Sequence, residues 1–412
     1  AGLSNGIVRS RGEIPGSLTP LEERLAASVE PYDGFSDLLD SSDRLALPAM
    51  AELEPIPAPR QLSKPENAKR AQRFSAYAFA RMLYSSLVDA DYLDTERFMA
   101  PEIARVRVSR ERSDIPHLLD QLLEALDQIV SEDTPVNRAR QAVLTDCLAA
   151  SGEEPGLFSL TVPTGGGKTL SSLAFALAHA KRYDMNRVII AIPFTSIVEQ
   201  TAAVLKDIFG PDVVLEHHSG YDFSDLDDEA GYAQRLATQN WDAPIVVTTN
   251  VQLLESFFAN KPAKSRKIHN FVKSVIILDE AQTLPDGLLS ASPAALESLT
   301  FSYGSSVVMC TATQTALDLA LPFGSAPREI VEHDELFQEA FDNRVAYQNL
   351  GMLEEEQLVE FLTEREQVLC IVGTKDGARR IYRDLVRRAV GEGALADEGE
   401  AMVEGFFHLS AA

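Results

Sequence analysis

The hydrophobic pattern of the chain changes near residue 155, from helical spacing to short apolar runs. Before that point, apolar residues recur at helical steps over 65–98, and further helical stretches run over 115–129 and 137–150. This spacing predicts helices with one buried face. In the first helix the buried face is expected to consist of Phe74, Ala78, Met82, Leu83 and Leu87. Residues 1–65 are rich in Pro, Gly and Ser, which indicates loops and short helices, one of them over 20–29.

After residue 155, short apolar runs alternate with helical segments, which predicts parallel strands joined by crossover helices. The runs are 157–162, 188–192, 245–247, 275–278, 307–310 and 368–372. Each run ends in a polar motif. Because the carboxyl ends of parallel strands line the ligand crevice of an open α/β sheet, we expect these motifs to meet at one site. The predicted fold class is therefore α/β, with a doubly wound parallel sheet preceded by a helical region.

A glycine-rich loop follows the first predicted strand and leads into a helix predicted over 170–182. Its sequence is Thr164-Gly165-Gly166-Gly167-Lys168-Thr169. Glycines let backbone N–H groups approach the phosphates of ATP, Lys168 would reach the β and γ phosphates, and the Thr169 hydroxyl would bind Mg²⁺. Val162 stands where the strict pattern has glycine, and a Thr-Gly loop of this kind is common in helicase-type ATPases. The alternative is a glycine turn with an adjacent lysine.

Two carboxylates, Asp279 and Glu280, directly follow a wholly apolar predicted strand. Acidic side chains in that position are unfavourable unless a cation meets them. We expect Asp279 to hold Mg²⁺ and Glu280 to orient the attacking water, so that these two and Lys168 form the catalytic set. Gln282 would sense the γ-phosphate or couple to the next motif. The alternative is an acidic pair that caps a helix.

The segments after the second and third predicted strands lie where a nucleic-acid strand would cross the domain. Hydroxyls, amides and helix N-termini in such segments contact phosphates without a basic surface. The predicted contacts are Pro193, Thr195, Ser196, Thr248, Thr249 and Asn250. Capping of the strand ends explains the same residues as an alternative.

Two weaker motifs complete the predicted ATP site. Thr311 and Thr313 follow the fifth predicted strand and resemble a motif that couples the nucleotide site to movement of a second lobe. Arg140 and Gln141 precede the phosphate loop, where an adenine-reading motif is expected in such helicases. Arg140 would stack on the base and Gln141 would hydrogen-bond to it, with an ordinary helix surface as the alternative.

Adjacent histidines at 217 and 218, followed by the acidic run 222–229, invite a metal interpretation. Neighbouring side chains on a strand point to opposite faces, so His217 and His218 form a poor pair of metal ligands. The acidic run is most simply a solvated loop.

Composition restricts how the chain can hold nucleic acid. With 37 Lys plus Arg against 62 Asp plus Glu, the net charge is −25, so any such contact must be local rather than a consequence of overall charge. The 3 cysteines have neither metal-binding nor disulfide spacing, and we expect a reducing, cytoplasmic location. No apolar stretch approaches the roughly 18 residues of a membrane span, so a membrane partner is not expected.

Together these residues resemble a superfamily-two helicase, and more narrowly the CRISPR-associated helicase-nuclease of type I systems. The resemblance is carried by 158–177 around the phosphate loop, by 216–219, by 279–282 and, upstream, by 85–96. The last segment resembles the final helix of the HD nuclease domain of that family. The resemblance is dense between 137 and 320 and thin before 65.

The resemblance implies an all-α HD domain that cuts single-stranded DNA with divalent metals, and two RecA-like lobes that pull the strand 3′-to-5′ with ATP and Mg²⁺. It also implies recruitment by a crRNA-guided surveillance complex. The predicted domains are the C-terminal part of an HD domain over 1–115, a first RecA-like domain over 116–330, and the start of a second over 331–412.

Where the chain departs from the family, the nuclease assignment weakens. The HD aspartate that closes the metal site corresponds to Asp91, with Asp89 as the alternate, and would bind a divalent transition metal in the complete domain. All 7 histidines lie beyond this helix, so the histidine ligands that should precede it are missing. We therefore expect a piece truncated at both ends that binds ATP weakly and hydrolyses it poorly. A solvated helix end explains the same aspartates.

Two other functions stay open at this point. One is a generic DEAD-box-like RNA helicase whose N-terminal helices form an accessory domain. The other is a nucleotide-gated scaffold with a degenerate ATP site, which the presence of Lys168, Thr169, Asp279 and Glu280 disfavours.

Overall fold

The computed structural model describes residues 65–108, 114–128, 132–220, 229–283, 291–312, 321–323, 325–341, 346 and 348–390. The chain forms two compact units, Ala1–Asp342 and Asn343–Ala412. The three predicted domains stay a prediction. The helix predicted over 20–29, the acidic residues 222–228 and Thr313 lie outside the described residues. Within those ranges, no helix combines the length and apolarity needed to cross a membrane.

The first unit is built on a sheet of seven strands in the order β3-β4-β2-β5-β6-β1-β7, and all neighbouring pairs are parallel. The strands are β1 Leu157–Thr161, β2 Arg187–Ile192, β3 Val214–His217, β4 Ile245–Thr249, β5 Ser274–Asp279, β6 Ser306–Thr311 and β7 Arg328–Glu329. The doubly wound α/β prediction is confirmed, and the apolar runs before residue 311 each form a strand. The hydrophobic pattern does not predict β3 or β7. Strand β7 has only two residues, too few to show a pattern.

Helices connect and cover these strands. In the first unit they are α1 Pro65–Met99, α2 Pro101–Val108, α3 Ile115–Gln128, α4 Pro135–Ala150, α5 Lys168–Arg182, α6 Thr195–Phe209, α7 Glu229–Ala237, α8 Asn250–Phe258, α9 Pro262–Ser265, α10 Ser292–Ser302 and α11 Asp334–Phe341. The three helices predicted before residue 155 correspond to α1, α3 and α4. Helix α4 begins after Thr134, whose side chain accepts a hydrogen bond from the Asn137 N–H.

The sheet is buried on both faces, which explains why its strands appear in the sequence as continuous apolar runs. Along β2, Val188 and Ile190 pack in one core and Ile189 and Ala191 pack in the other. The first core is closed by α3, α4, α5 and α6, and the second by α1, α8 and α10. Each face of the sheet therefore carries a hydrophobic core.

Helix α1 packs on the second face of the sheet through a stripe that is only partly apolar. Ala78 and Met82 are buried as predicted, but Leu83 and Leu87 are exposed. The stripe continues instead through buried Ser85 and Asp89, one turn apart each time. The prediction for Leu83 and Leu87 was wrong because polar side chains, which a hydrophobic pattern cannot detect, occupy the contact.

The second unit contains helices α12 Glu355–Thr363 and α13 Lys375–Val390, which pack through Val359, Leu362 and Ile381. The run 368–372 lies between them and is not a strand, contrary to the prediction. Cys370 and Val372 pack against the helix pair, whereas Leu369 and Ile371 are 77% and 85% exposed. The alternation is that of a strand, but no neighbouring strand pairs with it among the described residues.

Candidate functional site

The phosphate loop connects β1 to α5 and is shaped by its glycines. Gly165 and Gly167 have φ angles of 89° and 86°, in the left-handed region that favours glycine. A Cβ on Gly166 would lie 2.5 Å from the Val162 Cγ1 atom, so the backbone there approaches its neighbour too closely for a side chain. The loop therefore adopts a compact turn that leads directly into the N-terminus of α5 at Lys168.

The Lys168 ammonium meets both carboxylates that follow β5. Its Nζ atom lies 3.1 Å from Asp279 Oδ1 and 2.6 Å from Glu280 Oε1. The Gln282 Nε2 group donates to Glu280 Oε2 at 2.6 Å, so Glu280 is bonded through both oxygens. The structure thus brings Lys168, Asp279, Glu280 and Gln282 to one point at the carboxyl edge of the sheet.

The electrostatics of this cluster keep Lys168 and Glu280 charged. Burial lowers the pKa of Lys168, but the Asp279 charge and the hydrogen bonds to Glu280 and Asp279 outweigh it and raise that pKa above its ordinary value. Burial raises the pKa of Glu280, but the hydrogen bonds from Lys168 and Gln282 lower it by more. The pKa of Glu280 therefore lies below its ordinary value. The Lys168 ammonium and the Glu280 carboxylate are therefore ionised at neutral pH.

A cleft of about 730 Å³ opens beside the phosphate loop. Residues of the predicted nucleotide set that line it are Arg140, Gln141, Thr164, Gly165, Gly167, Lys168, Thr169, Asp279 and Glu280. Leu126 and Leu144 add an apolar wall that the motif analysis missed. Leu144 lies one turn after Gln141 on α4, so helical spacing from the predicted adenine motif would have identified it.

Arg140 lies against the phosphate loop in this cleft. Its Nε atom donates to the Gly165 carbonyl at 2.8 Å, and its Nη1 atom donates to Asn137 Oδ1 at 3.3 Å. The guanidinium therefore bonds to the loop backbone, and its stacking on adenine stays a prediction. Gln141 makes no such contact with the loop and remains the candidate for hydrogen bonding to the base.

The base of the phosphate loop is tied to two other strands. The Val162 N–H donates to the carbonyl of Thr311 at the end of β6. The Thr161 N–H and hydroxyl both donate to the Glu329 carboxylate, at 2.9 Å and 3.0 Å. Thr311 thus contacts the phosphate loop through its backbone, while its partner in the predicted coupling motif, Thr313, is outside the described residues. Glu329 was missed because the two-residue strand that carries it has no hydrophobic signal.

The residues predicted to contact nucleic acid fall into two groups, one just after β2 and one at the end of β4. We define residues 193–197 and 249–251 as the β2–β4 rim. Thr195 and Ser196 are exposed in the first turn of α6, and Pro193 is partly exposed just before them. Thr248 and Asn250 are buried, and Thr249 is nearly so. The Thr248 hydroxyl donates to the His217 carbonyl at 2.7 Å, and the Thr249 hydroxyl caps α8 by accepting from the Gln252 N–H at 3.1 Å. Of the predicted contacts, Thr195 and Ser196 therefore have exposed side chains that a strand can reach directly.

The β2–β4 rim also exposes apolar side chains that the motif analysis did not select as contacts. Phe194 is 58% exposed, and Ile197 and Val251 are also exposed. In the sheet register Ile192 pairs with Thr249, so Phe194 and Val251 each lie two residues beyond paired positions on adjacent strands. The rim therefore combines helix N-termini with an aromatic surface.

The aspartates of α1 occupy different environments. Asp91 is exposed, whereas Asp89 is 4% exposed and accepts from Arg266 Nε at 2.6 Å and from Asn240 Nδ2 at 3.1 Å. In the described ranges, no cluster of three or more His, Cys, Asp or Glu is arranged to bind a metal. The nuclease role of Asp91 stays a prediction, and the buried member of the pair is the alternate, Asp89, which is bound to an arginine.

Magnesium fits the cleft on the chemistry of its residues. Asp279 supplies a carboxylate and Thr169 a hydroxyl, and both line the same cleft. Hard oxygen ligands of this kind, completed by phosphate and water, are those that Mg²⁺ prefers. Asp279 and Thr169 are therefore the residues that would hold the ion.

Comparison with known proteins agrees with this site. Residues 138–320 match the DEAD/DEAH box helicase family. Over 338 residues the chain is 25% identical to the CRISPR-associated nuclease/helicase Cas3 of Haloferax volcanii, a match that covers 74% of this chain and 35% of that protein. The predicted resemblance is confirmed, and the matched segment 138–320 contains both the phosphate loop and the acidic pair. It spans about a third of the length of this curated relative.

Solved structures give partial matches. The crystal structure of T. fusca Cas3 with ADP has a TM-score of 0.37 and 18% identity, and the match covers 47% of this chain and 22% of that one. The DUF1998 helicase MrfA bound to DNA and AMPPNP has a TM-score of 0.41 and 17% identity, with 66% and 38% covered.

Proposed function

We propose that this chain is the ATP-dependent motor part of a single-stranded DNA helicase and translocase that works with an HD nuclease in type I CRISPR interference. The observation that carries the proposal is the contact of Lys168 with Asp279 and Glu280 at the mouth of the phosphate-loop cleft. An ammonium at a glycine loop and two carboxylates at a neighbouring strand end are the parts that ATP hydrolysis requires.

In this proposal the chain's residues divide the work of hydrolysis. Lys168 binds the β and γ phosphates, and the backbone N–H groups of 165–169 surround them. Mg²⁺, when bound at Asp279 and Thr169, neutralises phosphate charge. Glu280, released from Lys168 as the phosphates arrive, orients the attacking water, and Gln282 holds the second oxygen of Glu280.

The β2–β4 rim is the proposed path of the strand. The exposed Thr195 and Ser196 at the start of α6 suit phosphate contacts, and Phe194 suits stacking on a base. These contacts need no basic surface, which agrees with the net charge of −25. The name of the curated relative, a CRISPR-associated nuclease/helicase, supports a CRISPR role that joins a nuclease to a helicase. Degradation of DNA and recruitment by a crRNA-guided complex are further parts of this proposal.

A lysine substitution tests the ATP site. We expect Lys168→Ala to weaken Mg-ATP binding on the order of tenfold or more, because charge-assisted hydrogen bonds to phosphate are lost. Binding would be measured by isothermal titration calorimetry, together with hydrolysis of ATP. Lys181→Ala, an exposed lysine at the other end of the same helix, is the matched control and should bind as the wild type does. Equal affinity of the Lys168→Ala variant would refute the assignment.

An aromatic substitution tests the strand path and the choice of nucleic acid. Phe194→Ala should weaken binding of a single-stranded DNA oligonucleotide by about 5- to 100-fold, the loss expected for one stacked base. Val204→Ala, which removes an exposed apolar group farther along α6, should have no effect. Fluorescence anisotropy with DNA and RNA of the same sequence would decide between the two substrates, since tighter binding to RNA would favour the RNA helicase alternative.

A further inference from the structure

The side chain of Asn250 joins the β2–β4 rim to the acidic pair of the ATP site. Asn250 is the first residue of α8 and is 1% exposed. Its Nδ2 group donates to the backbone carbonyl of Asp279 at 3.4 Å. Its Oδ1 atom is buried and has no hydrogen-bond partner among the described residues. A buried carbonyl left unpaired is unfavourable, so a role beyond packing is needed to explain this amide.

The carbonyl that Asn250 holds belongs to the peptide bond between Asp279 and Glu280. The N–H of that same peptide donates to Asp279 Oδ1 at 3.1 Å. Glu280 has a φ of 48°, a left-handed conformation that is strained for a residue with a side chain. Rotation of this peptide would relieve the strain and move the Glu280 carboxylate relative to Lys168. Asn250 is therefore one of the restraints on the position of Glu280.

Asn250 is equally part of the rim. Thr249 before it caps α8, and Val251 after it is exposed beside the end of β2. A strand lying on the rim would contact the first turn of α8, and any shift of that turn moves the Asn250 amide. The two sites thus share a single buried side chain.

We propose that Asn250 is a positioning residue that couples strand binding at the β2–β4 rim to the placement of Glu280 in the ATP site. The proposal rests on the proposed function, because it requires that the chain bind both a nucleic-acid strand and a nucleotide. It goes further because it assigns the coupling to the side-chain amide of Asn250, which the sequence predicted to be a direct contact with nucleic acid.

The test measures coupling rather than activity. The dissociation constant of a single-stranded DNA oligonucleotide is measured for the full chain with and without saturating Mg-AMPPNP, and the ratio of the two values is the coupling. We expect the wild-type ratio to differ from one by at least fivefold, a magnitude typical of coupled sites. In Asn250→Ala the ratio should fall to within twofold of one, while each ligand alone still binds within about threefold of wild type.

Thr248→Val is the matched control, because it removes a buried hydrogen bond from the neighbouring strand position without touching Asp279. It should keep the wild-type ratio. A wild-type ratio in Asn250→Ala, or an equal loss in Thr248→Val, would overturn the proposal. If Asn250→Ala does not fold, Asn250→Leu, which is similar in size and cannot donate to Asp279, should show the same loss of coupling, and failure of both variants to fold would indicate a structural role.

The outcomes separate the two proposals. A wild type that binds both ligands with a ratio of one refutes the coupling and leaves the proposed function intact. A wild type that does not bind nucleotide refutes the proposed function, and the coupling with it.

Discussion

Two histidines, the buried His179 and the half-buried His217, are held neutral mainly by their removal from water. His179 bridges the Ser151 carbonyl and the Ser306 hydroxyl, at 2.9 Å and 2.8 Å, and burial lowers its pKa to about 4. His217 accepts from the Trp241 indole at 3.0 Å. Burial, with the nearby charge of Lys267, lowers the pKa of His217 to about 3. Neither histidine is thus available as a cationic group at neutral pH.

These shifts predict a loss of stability in mild acid. The unfolded chain takes up protons near pH 6.5 while the folded chain does not, so stability falls as the pH drops from 6.5 towards 4. Between pH 7.5 and 5.5 each histidine should contribute a loss of about 1 kcal/mol. Urea unfolding at the two pH values measures the loss. His179→Gln should reduce the difference between them, and an unchanged difference would show that His179 is protonated in the folded chain.

At the scale of elements, the docking of α1 on the sheet depends on charge as well as on apolar contact. Ser85 donates to the Ser265 carbonyl at 2.6 Å, and Asp89 pairs with Arg266, both buried. The Arg266 guanidinium also lies over the Tyr92 ring at 4.7 Å. The helix that resembles the end of an HD domain is thus bound to the helicase domain by a buried ion pair.

Separate substitution of Asp89 and Asp91 tests whether Asp89 has this structural role or belongs to a solvated helix end. Asp89→Ala should destabilise the first unit by about 3–5 kcal/mol, because it leaves the Arg266 charge buried without a carboxylate. Asp91→Ala, two residues away and exposed, should change the free energy of unfolding by less than about 0.5 kcal/mol. Denaturant unfolding of both variants gives the comparison. Equal effects would mean that the Asp89–Arg266 pair does not hold the helix.

The same helix shows what could be predicted from the sequence and what could not. The phosphate loop, the acidic pair and the central strands were predictable, because local glycines, charges and buried apolar runs determine them. The buried face of α1 was only half predictable, since Ser85 and Asp89 are polar and their partners near residue 265 are distant in the chain. Asn250 was selected as a strand contact because its burial depends on the neighbouring strands, which no local pattern reveals.

At the scale of the whole molecule, the net charge of −25 restricts how nucleic acid is bound. The described residues of the β2–β4 rim include no lysine or arginine. We therefore expect a weak dependence of single-stranded DNA binding on salt. A plot of log K against log salt concentration should have a slope between zero and about −1.5, equivalent to about two released counterions or fewer. Anisotropy titrations at KCl concentrations from about 50 to about 200 mM would measure this slope. A steeper slope would mean that a basic surface outside the rim carries the binding.

In the second unit, the strand predicted from the sequence is absent at 368–372. The run 368–372 has the alternation of a strand, with Cys370 and Val372 packed inward and Leu369 and Ile371 outward. A strand is stabilised by its neighbours, so a sequence pattern predicts the tendency of a segment but not the presence of a partner. The apolar runs of the first unit have such partners, and this one has none within the described residues.

The ion pairs at Lys168 have one more consequence. The ammonium is already occupied by the carboxylates of Asp279 and Glu280, so the chain contains a built-in competitor for anions. A free phosphate ion that binds Lys168 must displace both carboxylates, and it is only one charged group. A magnesium-loaded triphosphate brings a cation of its own to the vacated acids and compensates for the broken pairs. We therefore expect this resting arrangement to favour a magnesium-bound nucleotide over a free phosphate ion.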